Sequence, residues 1–328
     1  MGMTASMGRR AFGALVMAGG LAFAAGACAQ AYPQHPITMI VPFAAGGGTD
    51  SIARDLARQM QERLGQSVVV DNRGGAGGEI GVDYVAQAAA DGYTLLFVTS
   101  TFVTHAATEP ATSRDILKDF APIAMIGRGP LLVVANKETG INSLADMIAR
   151  ARAKPNALNF CSAGIGSINH LAGELFEQRA GVKMTHVPYK GSAPAAVDLL
   201  AGHVQVFFAT VPTIGSYVKA DRVKLLAVTS KERSPQFPGA PTVEESGVKD
   251  FDVSTWWGVV ARAGTPPAIV EKLNASINQS LASKTIQDRL KNEGADAYKG
   301  TSSDFGKMLA AELAAWKKTV AAAGIKPQ

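Results

Sequence analysis

The sequence predicts an α/β protein in which parallel sheets are covered by helices, and three observations carry that expectation. Short apolar runs alternate with amphipathic helical ones from residue 37 onward, the order that builds parallel strands joined by helical crossovers. Two glycine-rich turns, at 42–48 and 163–167, each stand between a strand-like run and a helical one. Apolar residues make up 47% and charged residues 18% of the 328 positions, which describes a well-cored chain long enough for two domains.

The first strand is read at 37–41, where Ile37, Met39, Ile40 and Val41 form an apolar run. It breaks at Pro42-Phe43-Ala44-Ala45-Gly46-Gly47-Gly48, and Thr49 and Asp50 then offer N-cap oxygens to a helix over 50–64. Ile52, Leu56, Met60 and Leu64 recur at a spacing of four and form one stripe. Further strands are expected at 68–70, 95–99, 131–135, 158–162, 185–189, 204–209, 225–229 and 257–261. The second glycine turn precedes a helix over 168–180, and another helix is expected at 193–200. The last covers 303–323, with Leu309, Leu313, Trp316 and Val320 on one face and Gly324 placed to stop it.

Residues 1–31 read as an export segment. Arg9-Arg10 supplies the charged start, residues 11–25 a short apolar run, and Ala29-Gln30-Ala31 a small-residue cleavage site. Arg9-Arg10-Ala11-Phe12 also resembles a twin-arginine signal, and Ala25-Gly26-Ala27-Cys28 offers a second route through lipid attachment to Cys28. Cleavage after Ala31 is preferred, and both routes place the protein outside the cytoplasm, in the periplasm. Cleavage removes two arginines and no acid, leaving 30 basic against 27 acidic side chains. No basic block supports nucleic-acid binding. Cys161 then remains as the single thiol, so an internal disulfide is excluded.

A strand, a glycine turn and a helix start expose main-chain N–H groups at a positive dipole end, which makes an anion site. Gly46-x-Gly48-x-x-Ser51 also lies close to a dinucleotide fingerprint, with Asp71 placed as a ribose-binding acid. An exported NAD(P)-binding oxidoreductase is therefore an alternative, and a purely structural turn is another. Arg73 is expected to pair with Asp71. Ser100 and Thr101 follow a strand end, where they serve either a ligand or a helix cap. His170, three residues after Ser167, is placed to bond an anion, against the alternative of a core histidine. Tyr189 or Lys190 could reach a carboxylate, against a solvated lysine on a turn, and Trp256-Trp257 is read as core, against the alternative of walling an aromatic ligand. The histidines at 35, 105, 170, 186 and 203 show no metal spacing. No nucleophile elbow occurs, so neither metal nor covalent chemistry is expected.

Several long segments carry a resemblance that no single turn could. YPQHPITMIVPFAAGGGTD, VVVDNRGGAGGEIG, ADGYTLLF, GIGSINHLAGELF, HVPYKGSAPAAVDLLAGHVQVFF, LLAVTSKERSPQFPGAPTVEESG and WWGVVARAGTPPAIVEKLN together cover essentially the whole chain after residue 31. In this order they resemble the substrate-binding receptors of tripartite tricarboxylate transporters, the Bug-type family. The resemblance implies a two-domain, periplasmic-binding-protein-like fold with the ligand cleft between domains. Residues 32–131 with 257–328 would form one domain and 132–256 the other, with crossings near 131–134 and 253–258. It implies a monomeric, cofactor-free receptor that is not an enzyme and that delivers a small carboxylate to membrane subunits. A ligand-sensing role without transport is the companion alternative. Carried onto this chain, the ligand-binding positions are Phe43, Ala44, Gly47, Gly48, Thr49 and Asp50 in the first turn. Ser100, Thr101, Gly166, Ser167, His170 and Tyr189 complete them. Where relatives often carry an acid after the strand at 204–208, this chain has Ala209-Thr210. That departure points to a plain carboxylic acid as ligand.

Overall fold

The structure, a computed structural model, describes residues 1–2, 32–43, 45–46, 48–109, 114–189 and 191–326. Most of the expected export segment, with Cys28, lies outside them, as do Ala44, Gly47 and Lys190. The chain separates into two compact units, Met1–Gln34 and His35–Gln328, and the second holds all the elements below. Among the described residues, no helix is long and apolar enough to cross a membrane.

The elements run β1 (Ile37–Val41), α1 (Gly48–Leu64), β2 (Val68–Asn72), α2 (Glu79–Ala86), β3 (Thr94–Thr99) and α3 (Ser100–Thr108). There follow β4 (Phe120–Asn136), α4 (Leu144–Ala153), β5 (Asn159–Ser162), α5 (Ile168–Ala180), β6 (Thr185–Pro188), α6 (Ser192–Leu200), β7 (Val206–Thr210), α7 (Val211–Lys219) and β8 (Val223–Val228). The chain closes with β9 (Ser254–Arg262), α8 (Pro267–Ser280), α9 (Lys284–Asn292), β10 (Asp296–Ala297) and α10 (Ser302–Ala323). Strand order is β2-β1-β3-β9-β4-β7-β5-β6, with β8 and β10 also paired to β4.

The fold is α/β as expected, and its sheet is mixed. β1 pairs in parallel with β2 and β3, and β5 with β6 and β7, each joined by helical crossovers. Between these parallel sets, β9 and β4 pair antiparallel with each other, β9 with β3, and β4 with β7 and β8. The strand expected at 131–135 is the far half of β4. The near half escapes a pattern reading because Pro122, Gly127, Gly129 and Pro130 look like strand breakers. Register shifts between Pro122 and Ala124 and between Met125 and Gly127 absorb two of those positions. The expected boundaries at 131/132 and 256/257 fall inside β4 and β9.

Ile52, Leu56 and Met60 of α1 are fully buried, while Leu64 is half-buried where the helix ends. α10 buries Leu309, Leu313, Trp316 and Val320, its stripe packing against α3, β4 and α5. Fully burying each such chain contributes about 1.5–3 kcal/mol. Trp256 is core, edge-on to Phe305, and donates its indole N–H to Glu312 Oε2 at 2.8 Å. Cys161 is buried, and desolvation pushes its thiol up to about 12, so it is unreactive.

Candidate functional site

A cavity of about 780 Å³ opens at the C-terminal ends of both parallel sets, where open α/β sheets bind ligands. Pro42 and Phe43 follow β1, Gly74 and Gly75 follow β2, and Thr99 to Thr101 end β3. From the other set come Ala163 and Ile165 to Asn169 after β5, Gly191 and Ser192 after β6, and Thr210 at the end of β7. Thr255, Trp257 and Glu293 complete the wall.

Six helices start at this wall. Gly48 begins α1, Gly78 caps α2, Ser100 begins α3, Ser167 caps α5, Gly191 caps α6 and Thr210 caps α7. Each start carries partial positive charge and main-chain donors. The described lining contains no Lys or Arg. Within the described lining, attraction for an anion is thus built from oriented peptide dipoles. A second groove, about 750 Å³, is lined by exposed charged chains including Arg128, Lys231, Glu232, Arg233 and Lys291. It carries both signs of charge, with Arg128 paired to Asp252 and Arg233 to Glu245, so it lacks that single polarity.

The first turn is held from behind. Asp50 Oδ2 accepts the Gly46 N–H at 2.9 Å and Arg54 Nε at 2.9 Å, and Oδ1 accepts Asn72 Nδ2 at 2.9 Å. Asn72 Nδ2 also reaches the Phe43 carbonyl at 3.1 Å. Burial pushes the Asp50 carboxyl up, but these bonds outweigh it and hold it below its ordinary value. Helix α1 starts at Gly48, so Asp50 lies in its first turn and not at the cap. Trp257 Nε1 donates to Thr49 Oγ1 at 3.1 Å, which leaves the Thr49 proton free to be given to a ligand.

The second turn is held in the same way. His170 Nδ1 accepts the Gly166 N–H at 3.2 Å, and its Nε2 faces Glu174 Oε1 at 3.4 Å. Its ring stacks on His186 at 3.9 Å. Burial, and next the neighbouring His170, push His186 down to about 3, so that ring stays neutral. Ser167 Oγ donates to the Gly164 carbonyl at 2.7 Å and accepts the His170 N–H at 3.3 Å. Gly166 has φ +76°, and a Cβ there would sit 2.6 Å from Thr108 Oγ1. Only glycine meets both demands.

Of the expected ligand-binding positions, the cavity therefore brings together Phe43, Gly48, Thr49, Ser100, Thr101, Gly166 and Ser167. Asp50, His170 and Tyr189 are off its lining, and their polar atoms are spent on the fold. Tyr189 Oη donates to Asp198 Oδ2 at 2.6 Å, and burial followed by that bond pushes its pKa up. Ser100 stands 3.4 Å from Thr255 Oγ1, while the cap of α3 is Thr99, which accepts the Thr101 N–H at 3.3 Å. Asp71, the acid the dinucleotide alternative requires, is bonded by Arg73 at 2.8 Å and is absent from the lining. Trp257 lines the cavity as well as being buried. His105, facing Glu79 at 3.2 Å, and Glu293 are lining residues that the sequence reading missed. Position after β3 could have flagged His105; nothing local marks Glu293. Among the described residues no His, Cys, Asp and Glu cluster could hold a metal ion.

Fold and cavity together define a solute-binding protein of the α/β class. The family model described as tripartite tricarboxylate transporter family receptor matches residues 52–325. Protein BugT of Bordetella pertussis (strain Tohama I) is 40% identical over 305 residues, 92% of this chain and 94% of that protein. The solved structure of R. palustris Rpa4515 with adipate superposes with a TM-score of 0.81 at 37% identity, covering 90% of this chain and all of that one. MatC (Rpa3494) from Rhodopseudomonas palustris with bound malate gives 0.77 at 31% identity, covering 88% and 100%. The chain belongs to the tripartite tricarboxylate transporter receptor family.

Proposed function

We propose that the protein is an exported receptor that captures a small carboxylate in this cavity and delivers it to the membrane subunits of a tripartite tricarboxylate-type transporter. The observation that carries the reading is the cavity's polarity: six helix starts converge on it and its described lining has no Lys or Arg. Such a site favours a compact anion whose oxygens accept main-chain N–H bonds. The similar proteins with adipate and with malate hold dicarboxylates, ligands of that chemistry.

In this reading residues 1–31 direct export to the periplasm, and the receptor acts there as a monomer without a cofactor or covalent chemistry. Residues 32–131 with 257–328 move against 132–256, bending where β4 and β9 pass between them. A ligand held by turns from both sides favours closure, and closure excludes water that would weaken main-chain hydrogen bonds. The test is a thermal-shift panel of mono-, di- and tricarboxylates. Ligand at ~100 times its Kd adds about 2.7 kcal/mol, a rise of several degrees at roughly 2–4 °C per kcal/mol. Absence of any response across the panel overturns the reading.

A further inference from the structure

Glu293 closes α9, and its carboxyl lies flush against the first residue of α1: a Cβ built on Gly48 would collide with Glu293 Oε2. The residue is 8% exposed and lines the cavity, and Oε2 is buried without a hydrogen-bond partner. An unfilled buried carboxyl oxygen is an unfavourable arrangement that calls for a partner. Its position beside the start of α1 makes a cavity ligand that partner.

The charge at this spot decides the form in which Glu293 can serve. An ionised carboxylate would set a second negative charge beside a bound anion in a desolvated cavity, with no Lys or Arg in the described lining to offset it. A protonated carboxyl removes that repulsion and supplies an O–H donor. The neighbouring charges are already engaged. Arg289, one turn earlier on α9, bonds Asp55 of α1 at 2.8 Å, and Asp50 of α1 is bonded by Arg54. On β4, Arg128 bonds Asp252 at 3.3 Å; across the cavity His105 faces Glu79. Lys291 on α9 and Asp296 on β10 are exposed, and α7 begins with the uncharged Val211 and Pro212. Burial pushes the Glu293 carboxyl up, and Arg289 opposes this without cancelling it.

We propose that Glu293 is a ligand-contacting, specificity-determining residue whose protonated carboxyl donates a hydrogen bond to the bound carboxylate, so that capture of the anion takes up a proton. The inference rests on the carboxylate-receptor reading. The proton comes from solvent on binding and returns to it on release.

Calorimetric titration with adipate and with malate, between about pH 6.5 and 9 where both probes are fully ionised, tests it. For the wild-type protein, affinity is expected to fall by up to about tenfold per pH unit, with a binding heat that depends on the buffer's own ionisation. Glu293→Gln keeps a donor that does not titrate, so its affinity is expected to be flat with pH and its heat independent of buffer. Wild-type affinity that is independent of pH, without proton uptake, overturns the role of Glu293 and leaves the receptor reading intact. So does a Glu293→Gln protein that melts like wild type yet has lost all binding, since the ionised carboxylate would then be what the ligand requires. A wild-type protein that binds no carboxylate of the panel overturns both proposals.

Discussion

Trp257 donates its indole N–H to the Thr49 hydroxyl at 3.1 Å, joining the start of β9 to the first turn of α1 across 208 positions of sequence. The bond fixes the Thr49 oxygen as an acceptor and aims its own proton elsewhere. Substituting Trp257→Phe keeps a ring against the cavity while removing that donor and some buried volume. One such bond is worth about 1 kcal/mol, so carboxylate affinity is expected to fall about fivefold. Losing an internal bond also lowers stability, so the melting temperature should fall by at least roughly 2–4 °C. Isothermal titration alongside a thermal melt separates the two, and unchanged affinity would show that Thr49 needs no such orientation.

Gly166 combines φ +76° with a Cβ position 2.6 Å from Thr108 Oγ1. Gly166→Ala is expected to lower stability by about 1–3 kcal/mol, with ligand response lost along with it. Adding Thr108→Ala removes the collision but not the backbone strain, so the double variant should regain part of the melting temperature and not all. Full recovery would mean that the left-handed backbone costs nothing here.

Asn72 bridges the Phe43 carbonyl and the Asp50 carboxylate, and its own carbonyl accepts Arg54 Nη2 at 2.7 Å. Asn72→Ala should loosen the first turn with a stability loss of roughly 1–3 kcal/mol. Amide hydrogen exchange should quicken across residues 43–50 while the amides of β5 and α5 stay as protected as before. Equal acceleration everywhere would indicate global destabilisation and no local lock.

Glu312 accepts the Trp256 indole N–H in the core, and desolvation raises its carboxyl from an ordinary 4.5 to about 7. Between those two values the folded protein keeps a proton that the unfolded chain releases. Its contribution to stability is therefore complete below about 4.5 and lost as pH rises through about 7. Glu312→Gln retains an acceptor for Trp256 and cannot ionise, so its stability relative to wild type should climb from pH 5 to pH 8. Urea midpoints at four pH values read this directly; a constant difference would place the carboxyl in its ordinary range.

Local order was the most legible part of the chain. The helix expected at 168–180 is α5 to the residue, because Ser167 caps it and Gly181 follows it, signals carried within a few positions. Strand β4 was half-read, since prolines and glycines that a bulged central strand tolerates look the same as those that end one. The first and second turns were found from glycine and hydroxyl patterns, but the division of labour inside them was not. Asp50, His170 and Tyr189 have the chemistry of ligand contacts, and only the placement of Gly46, Gly166 and Asp198 shows that they are already bonded. Glu293 was invisible for a related reason. It meets Gly48 because α9 packs on α1, and no spacing rule spans 245 residues.

Strand β4 has a consequence for how this chain can be taken apart. It bonds β9 and β10 with its first half and β7 and β8 with its second, so it is common property. A fragment ending near residue 130 would keep β3 and the first half of β4 but leave both with an open edge where β9 belongs. A fragment starting there would deny β9 and β10 their partner. Separately produced halves would thus each be incomplete, and recombining pieces among relatives would succeed only where β4 travels whole, together with the strands that flank it.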